Sequence, residues 1–177
     1  MMEARKYPPQ VLSALQALGI PPEIISTRAL PLHPEAQELV LAERGEDGRE
    51  HLLEPTAAAA WKQMVAAARD DGVPLRIDSA FRSVGRQTEI VRQKLASGLS
   101  IDAVLSVSAP PGFSEHHTGC AVDVGTTGHR SLDIEFADTE AFRWLSSHGR
   151  DFGFALSYPE GNPHGYAYEP WHWCYHG

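Results

Sequence analysis

Apolar positions along the chain change their spacing several times, and each change marks an element. Val11, Leu12, Leu15 and Leu18 recur at helical intervals after Pro8-Pro9, and Gly19 follows; a short helix over Val11–Leu18 is predicted. Leu39–Glu43 and His51–Leu53 flank the polar Gly45-Glu46-Asp47-Gly48 and read as a hairpin. The alanine-rich run Ala57–Arg69, with Thr56 as the expected cap and Asp71-Gly72 as the stop, predicts a helix packed on a sheet. Val73–Asp78 is a candidate strand, Ser83 opens a helix to about Ala96, and Ile101–Leu105 is a further helical turn.

Ser108–Gly119 is rich in Pro, Gly and Ser and reads as loop. Beyond it come a buried strand at Cys120–Val124 and a helix at Glu140–His148 opened by Asp138-Thr139. Strands near Phe152–Ser157 and Trp171–Tyr175 close the chain. Helices come early and strands late, without βαβ alternation, so the expected class is α+β: an antiparallel sheet flanked by helices. The 177 residues fit one domain, with no repeat or linker.

Charge narrows the partners. A net charge of -8 without any Lys/Arg cluster excludes a nucleic-acid face. No apolar run approaches spanning length, so no membrane partner is expected, and the opening MMEARKYPPQ lacks the apolar core of a secretory signal. The expectation is a cytoplasmic monomer, or a cell-wall or periplasmic protein if a leader has been removed. Cys120 and Cys174 are too few for a disulfide framework and read as free thiols of a reducing compartment.

Six of the 9 His fall between His116 and His172. In Ser114-Glu115-His116-His117-Thr118-Gly119-Cys120-Ala121-Val122-Asp123, the residues Gly119, Ala121 and Asp123 alternate onto one strand face. Small side chains there leave room for a ligand beside a carboxylate that needs a cation. In Glu169-Pro170-Trp171-His172, Pro170 breaks strand regularity, letting Glu169 and His172 reach one pocket. Taken singly, Asp123 reads as a capped turn or paired core carboxylate, and His172 as a packed ring. Taken together, two histidines and one carboxylate suit a zinc with an open position, beside a free glutamate able to act as base.

Ser-x-His-x-x-Gly-x-Ala-x-Asp followed by Glu-Pro-Trp-His resembles the zinc D,D-carboxypeptidases of the VanY type, within a group that includes D-Ala-D-Ala dipeptidases and phage endolysins. The similarity runs from about Leu52 to Gly177 and includes Ser79-Ala80-Phe81-Arg82-Ser83; residues 1–50 lie outside its strongest part. It implies His116, Asp123 and His172 as zinc ligands, Glu169 as catalytic base and Arg82 as oxyanion stabiliser. Ser114 and Gln87 match substrate-contacting positions, and Trp171 is expected as pocket wall. Arg82 has an alternative reading as a structural partner of Asp78. Val84 stands where a Tyr often follows the Arg-Ser pair, and Cys174 where an Arg is usual.

His117 reads as a surface or supporting residue diverging from its neighbour, and His129, His148, His164 and His176 are not expected as ligands. The implied substrate is a peptidoglycan-derived peptide ending in a D-amino acid. L,D-carboxypeptidase action, endolysin-like L-Ala-D-Glu cleavage, a dipeptidase with a narrowed pocket and a non-catalytic zinc-binding recognition module are the alternatives.

Overall fold

Two apolar clusters, one on each side of a four-stranded sheet, organise the chain. The computed structural model describes residues 7–177; residues 1–6, part of the opening segment read as lacking a leader, lie outside the described residues. The elements run α1 (Pro9–Ala17), α2 (Pro22–Thr27), β1 (Val40–Arg44), β2 (Glu50–Leu53), α3 (Pro55–Asp70), β3 (Arg76–Ser79) and α4 (Val84–Ala96). After these come α5 (Ile101–Val107), β4 (Ala121–Gly125), α6 (Glu140–His148), β5 (Phe154–Leu156) and β6 (His172–Tyr175). Sheet order is β3-β4-β6-β5, antiparallel throughout, with β1-β2 a separate hairpin. The architecture is α+β, as the pattern predicts.

β4 is buried along its whole length, so its two faces serve different purposes. Val122, Val124 and Trp173 enter the cluster made with Trp61 and Met64 of α3 and Leu145 of α6. The alternate residues Asp123 and His172 point to the other face, where α1, α4 and α5 pack around Phe113, Tyr158 and Tyr166. The site residues thus sit on the inner face of a central strand pair, under a helical cover.

Local chemistry explains most boundaries and corrects some. Ser83 caps α4 by accepting from the Arg86 amide at 3.0 Å, and Thr139 caps α6 through Phe142 at 3.1 Å. For α3 the cap is Glu54, not Thr56: its carboxylate accepts from the Thr56 and Ala57 amides at 3.0 and 3.2 Å. Pro55 then occupies the first helical position, where a missing N–H costs nothing. The strand expected over Val73–Asp78 begins only at Arg76, because Pro74 has no N–H to offer a ladder. The segment Ser108–Gly119 is loop as expected, except for a 3₁₀ turn at Glu115–Thr118.

Candidate metal centre and cleft

The 3₁₀ turn delivers the first donor. Ser114 Oγ accepts from the His116 amide at 3.3 Å, and Gly119 ends the turn in the left-handed conformation. A Cβ at Gly119 would lie 2.9 Å from the Glu54 amide nitrogen, so only glycine fits where this turn crosses the start of α3. His116 is buried, and its Nδ1 donates to the Ala80 carbonyl at 2.7 Å. That fixes the tautomer and leaves the Nε2 lone pair facing Asp123 Oδ1 at 3.2 Å.

Strand pairing delivers the other two. Asp123 sits opposite His172 on β6 and opposite Ser79 on β3. His172 Nδ1 lies 3.1 Å from Asp123 Oδ1, while its Nε2 donates to Glu115 Oε2 at 2.8 Å. Glu115 is held in turn by the Ser157 hydroxyl at 2.6 Å. His116, Asp123 and His172 therefore offer donor atoms all within 4.8 Å of one another. Tetrahedral ligands at about 2.0–2.1 Å from a shared ion stand about 3.3 Å apart. The 3.1 and 3.2 Å separations meet that requirement, and the donor chemistry suits a borderline divalent ion. With His172 unprotonated at Nδ1, both rings would aim a lone pair at one carboxylate oxygen, an arrangement that a shared cation satisfies, so the residues fit a metal.

Electrostatics point the same way. Burial opposes ionisation of Asp123, but His116 and His172 outweigh it and hold the carboxyl far below its usual range. Burial likewise opposes the charged form of His172, yet its bonds to Asp123 and Glu115 raise it to about 10. Burial, reinforced by Arg82, lowers His116 to about 4. Against burial, the bond to His172 draws Glu115 down to about 2. Asp123 and Glu115 thus stay ionised and draw positive charge towards His172, while His116 stays neutral and keeps a lone pair for a ligand.

Glu169 and Arg82 complete the constellation. Glu169 Oε2 lies 3.8 Å from His172 Nδ1, so the two residues on either side of Pro170 do share a pocket. Burial pushes the Glu169 carboxyl up to about 7, with His172 opposing. Arg82 Nη2 is 3.9 Å from Asp123 Oδ2, whereas Asp78 is paired with Arg76 at 2.9 Å. The Asp78 alternative for Arg82 is thereby excluded. Ser114 and Gln87 line a recess of about 40 Å³ together with Arg82, His116, Tyr158 and Glu169. Within it Arg82 Nε, Gln87 Oε1 and Tyr166 Oη are buried without a partner. Trp171 lies outside the recess, in the wall of a larger adjoining cleft of about 740 Å³.

His117 is wholly buried, not on the surface: its Nδ1 donates to the Arg82 carbonyl at 2.6 Å and its Nε2 accepts from the Gly112 amide at 3.1 Å. It pins the segment bearing Arg82 to the loop bearing His116. Cys120 and Cys174 are free, and neither belongs to the donor cluster. Glu115 and Tyr158 escape sequence reasoning. The only signal for Glu115 is adjacency to His116, since its partner His172 is 57 residues away.

His116 on the 3₁₀ turn and Asp123 and His172 on the strand pair, with Glu169 and Arg82 at hand, are a donor set suited to a divalent ion with an open coordination position. Residues 50–177 match the sequence model of VanY, D-alanyl-D-alanine carboxypeptidase, and the chain belongs to that family. A D-alanyl-D-alanine carboxypeptidase of Enterococcus faecalis (strain ATCC 700802 / V583) is 35% identical over 121 residues, covering 63% of this chain and 43% of the relative. The solved structure of the LdcB LD-carboxypeptidase superposes with a TM-score of 0.73 at 30% identity, covering 83% of this chain and 72% of that one. A mutant of the vancomycin-resistance D,D-pentapeptidase VanY from a VanB-type cassette, in complex with Zn(II), gives 0.64 at 30% identity over 84% and 83% of the two chains. The chain spans about half the length of the first curated relatives it matches, 57% and 43%.

Proposed function

We propose that the protein is a zinc peptidase that removes the C-terminal residue of peptidoglycan stem peptides, as a D,D-carboxypeptidase. The observation that carries this reading is the coincidence of a three-donor cluster with Glu169 and Arg82 beside a small recess. His116 Nε2, Asp123 Oδ1 and His172 Nδ1 hold the zinc. When bound, zinc supplies Lewis acidity, acidifying water and polarising a carbonyl. Glu169 takes the proton of the attacking water and passes it to the departing amine as the peptide C–N bond breaks. Arg82, always charged and offering a fork of donors, stabilises the developing oxyanion.

The recess is much smaller than the adjoining cleft, which favours a small leaving residue. Its unpartnered Arg82 Nε and Tyr166 Oη can donate to that residue's carboxylate, while Gln87 Oε1 can accept from a peptide N–H, with Ser114 beside them.

The likeness to the LdcB LD-carboxypeptidase, at a TM-score of 0.73, favours a second reading: action on the tetrapeptide, with an L-residue on the acyl side. Mass spectrometry of products from a stem pentapeptide and its tetrapeptide separates the two. Loss of one D-Ala from the pentapeptide alone is the expected result. Loss from the tetrapeptide alone moves the assignment to L,D, and cleavage of neither by zinc-loaded protein overturns the peptidase reading.

A further inference from the structure

Arg82 and Glu169, which flank the donor cluster, also line a cleft whose charge runs against that of the molecule. Arg82, Arg86, Ile90 and Lys94 recur every four residues, so one ridge running from the entry to the end of α4 faces this cavity of about 740 Å³. The lining also includes the apolar Leu132, 49% exposed and held at a φ of 56°, a conformation a branched side chain rarely adopts.

Most charges in the lining are already engaged. Asp78 pairs with Arg76, Glu50 with Arg44, and Arg49 with Asp47, while Glu169 faces His172. Arg86 and Lys94 have no carboxylate partner among the described residues. Lys94 gives one donor to Ser108 Oγ at 2.6 Å, which leaves two for a ligand. In a chain of net charge -8, this wall is a local positive field with low-dielectric sides, the arrangement that gathers anions. Eight residues of helix separate Arg86 from Lys94, a rise of about 12 Å, which equals the span of roughly three to four residues of extended peptide.

We propose that this cleft is the binding site for the acyl-side arm of the substrate, and that Arg86 and Lys94 select an arm carrying a free carboxylate within about three residues of the scissile bond. The assignment rests on the peptidase reading above for its direction along the peptide. Two sources supply such a carboxylate in a stem peptide: the α-carboxylate of a γ-linked glutamyl residue, and the side-chain carboxylate of a diamino dicarboxylic third residue. Leu132 and Trp171 would cover the aliphatic parts of the same arm.

Calorimetric titration of zinc-loaded Glu169→Ala protein with uncleaved pentapeptides tests this directly. The four peptides carry the glutamyl carboxylate free or amidated, each with lysine or diaminopimelate at position three. The doubly neutral peptide is expected to bind at least about tenfold more weakly than one of the acidic forms, and the arm that shows the difference identifies the source. Adding Arg86→Gln and Lys94→Gln is expected to compress that ratio to within about twofold, while Lys94→Arg retains it. Equal affinity for all four peptides, a ratio that survives the double substitution, or no binding of any peptide overturns the assignment. A ratio that collapses as expected in a protein whose wild type cleaves none of them upholds the cleft and retires the peptidase reading alone.

Discussion

Each ring nitrogen of the two donor histidines has a single assigned task. A carbonyl can only accept, so Ala80 forces the proton of His116 onto Nδ1 and leaves Nε2 for a metal. Glu115 does the same for His172 from the opposite nitrogen, freeing Nδ1. A carboxylate behind a ligand also raises the basicity of the ring, and losing such a partner costs about 10- to 100-fold in metal affinity. Glu115→Gln is therefore expected to weaken zinc binding by that factor with the fold retained, read by competition against a chelator of known affinity. An affinity within about twofold of wild type would show that His172 needs no such support. Glu115 illustrates the limit of a linear reading. The motif residues His116, Asp123 and His172 were legible because their types and order carry chemistry, whereas the Glu115–His172 bond exists only once β4 and β6 have paired.

At the scale of elements, the sequence was most informative where local chemistry decides the outcome. The β1-β2 hairpin, the Ser83 and Thr139 caps and the ends of α3 and α4 all follow from turn residues and caps. It was least informative where a distant group intervenes. Glu54 displaces Thr56 as cap of α3 because its longer side chain folds back over Pro55, and Glu43 bonds both Trp61 Nε1 and the Ile77 amide, tying the hairpin to α3 and β3. Gly119 joins these levels, since it ends the His116 turn, accepts through its carbonyl from the Glu54 amide at 2.9 Å, and starts the run into β4. Gly119→Ala combines a left-handed φ of 71° with a collision against the Glu54 backbone. A left-handed residue with a Cβ costs about 1–2 kcal/mol before any clash, so a total loss of about 2 kcal/mol or more is expected in chemical denaturation. A loss under about 0.5 kcal/mol would mean that the loop shifts freely, and that the placement of His116 does not depend on this crossing.

For the whole molecule, the sheet is a partition between two apolar clusters, and the donors lie on the face that looks away from α3 and α6. Burying Asp123, His116 and His172 there is costly without a cation, so a bound metal would contribute to the fold as well as to the chemistry. The central claim is that this buried triad holds a zinc ion whose chemistry Glu169 completes. The most direct test follows D-Ala release from a stem pentapeptide by wild type as purified, stripped with chelator and reloaded with zinc, beside Glu169→Gln with its zinc content measured. The account predicts that stripping abolishes release, that one equivalent of zinc restores it, and that Glu169→Gln keeps the zinc while losing about 10²- to 10⁴-fold in kcat/KM. Release that survives stripping, or a Glu169→Gln variant as active as wild type, would contradict it.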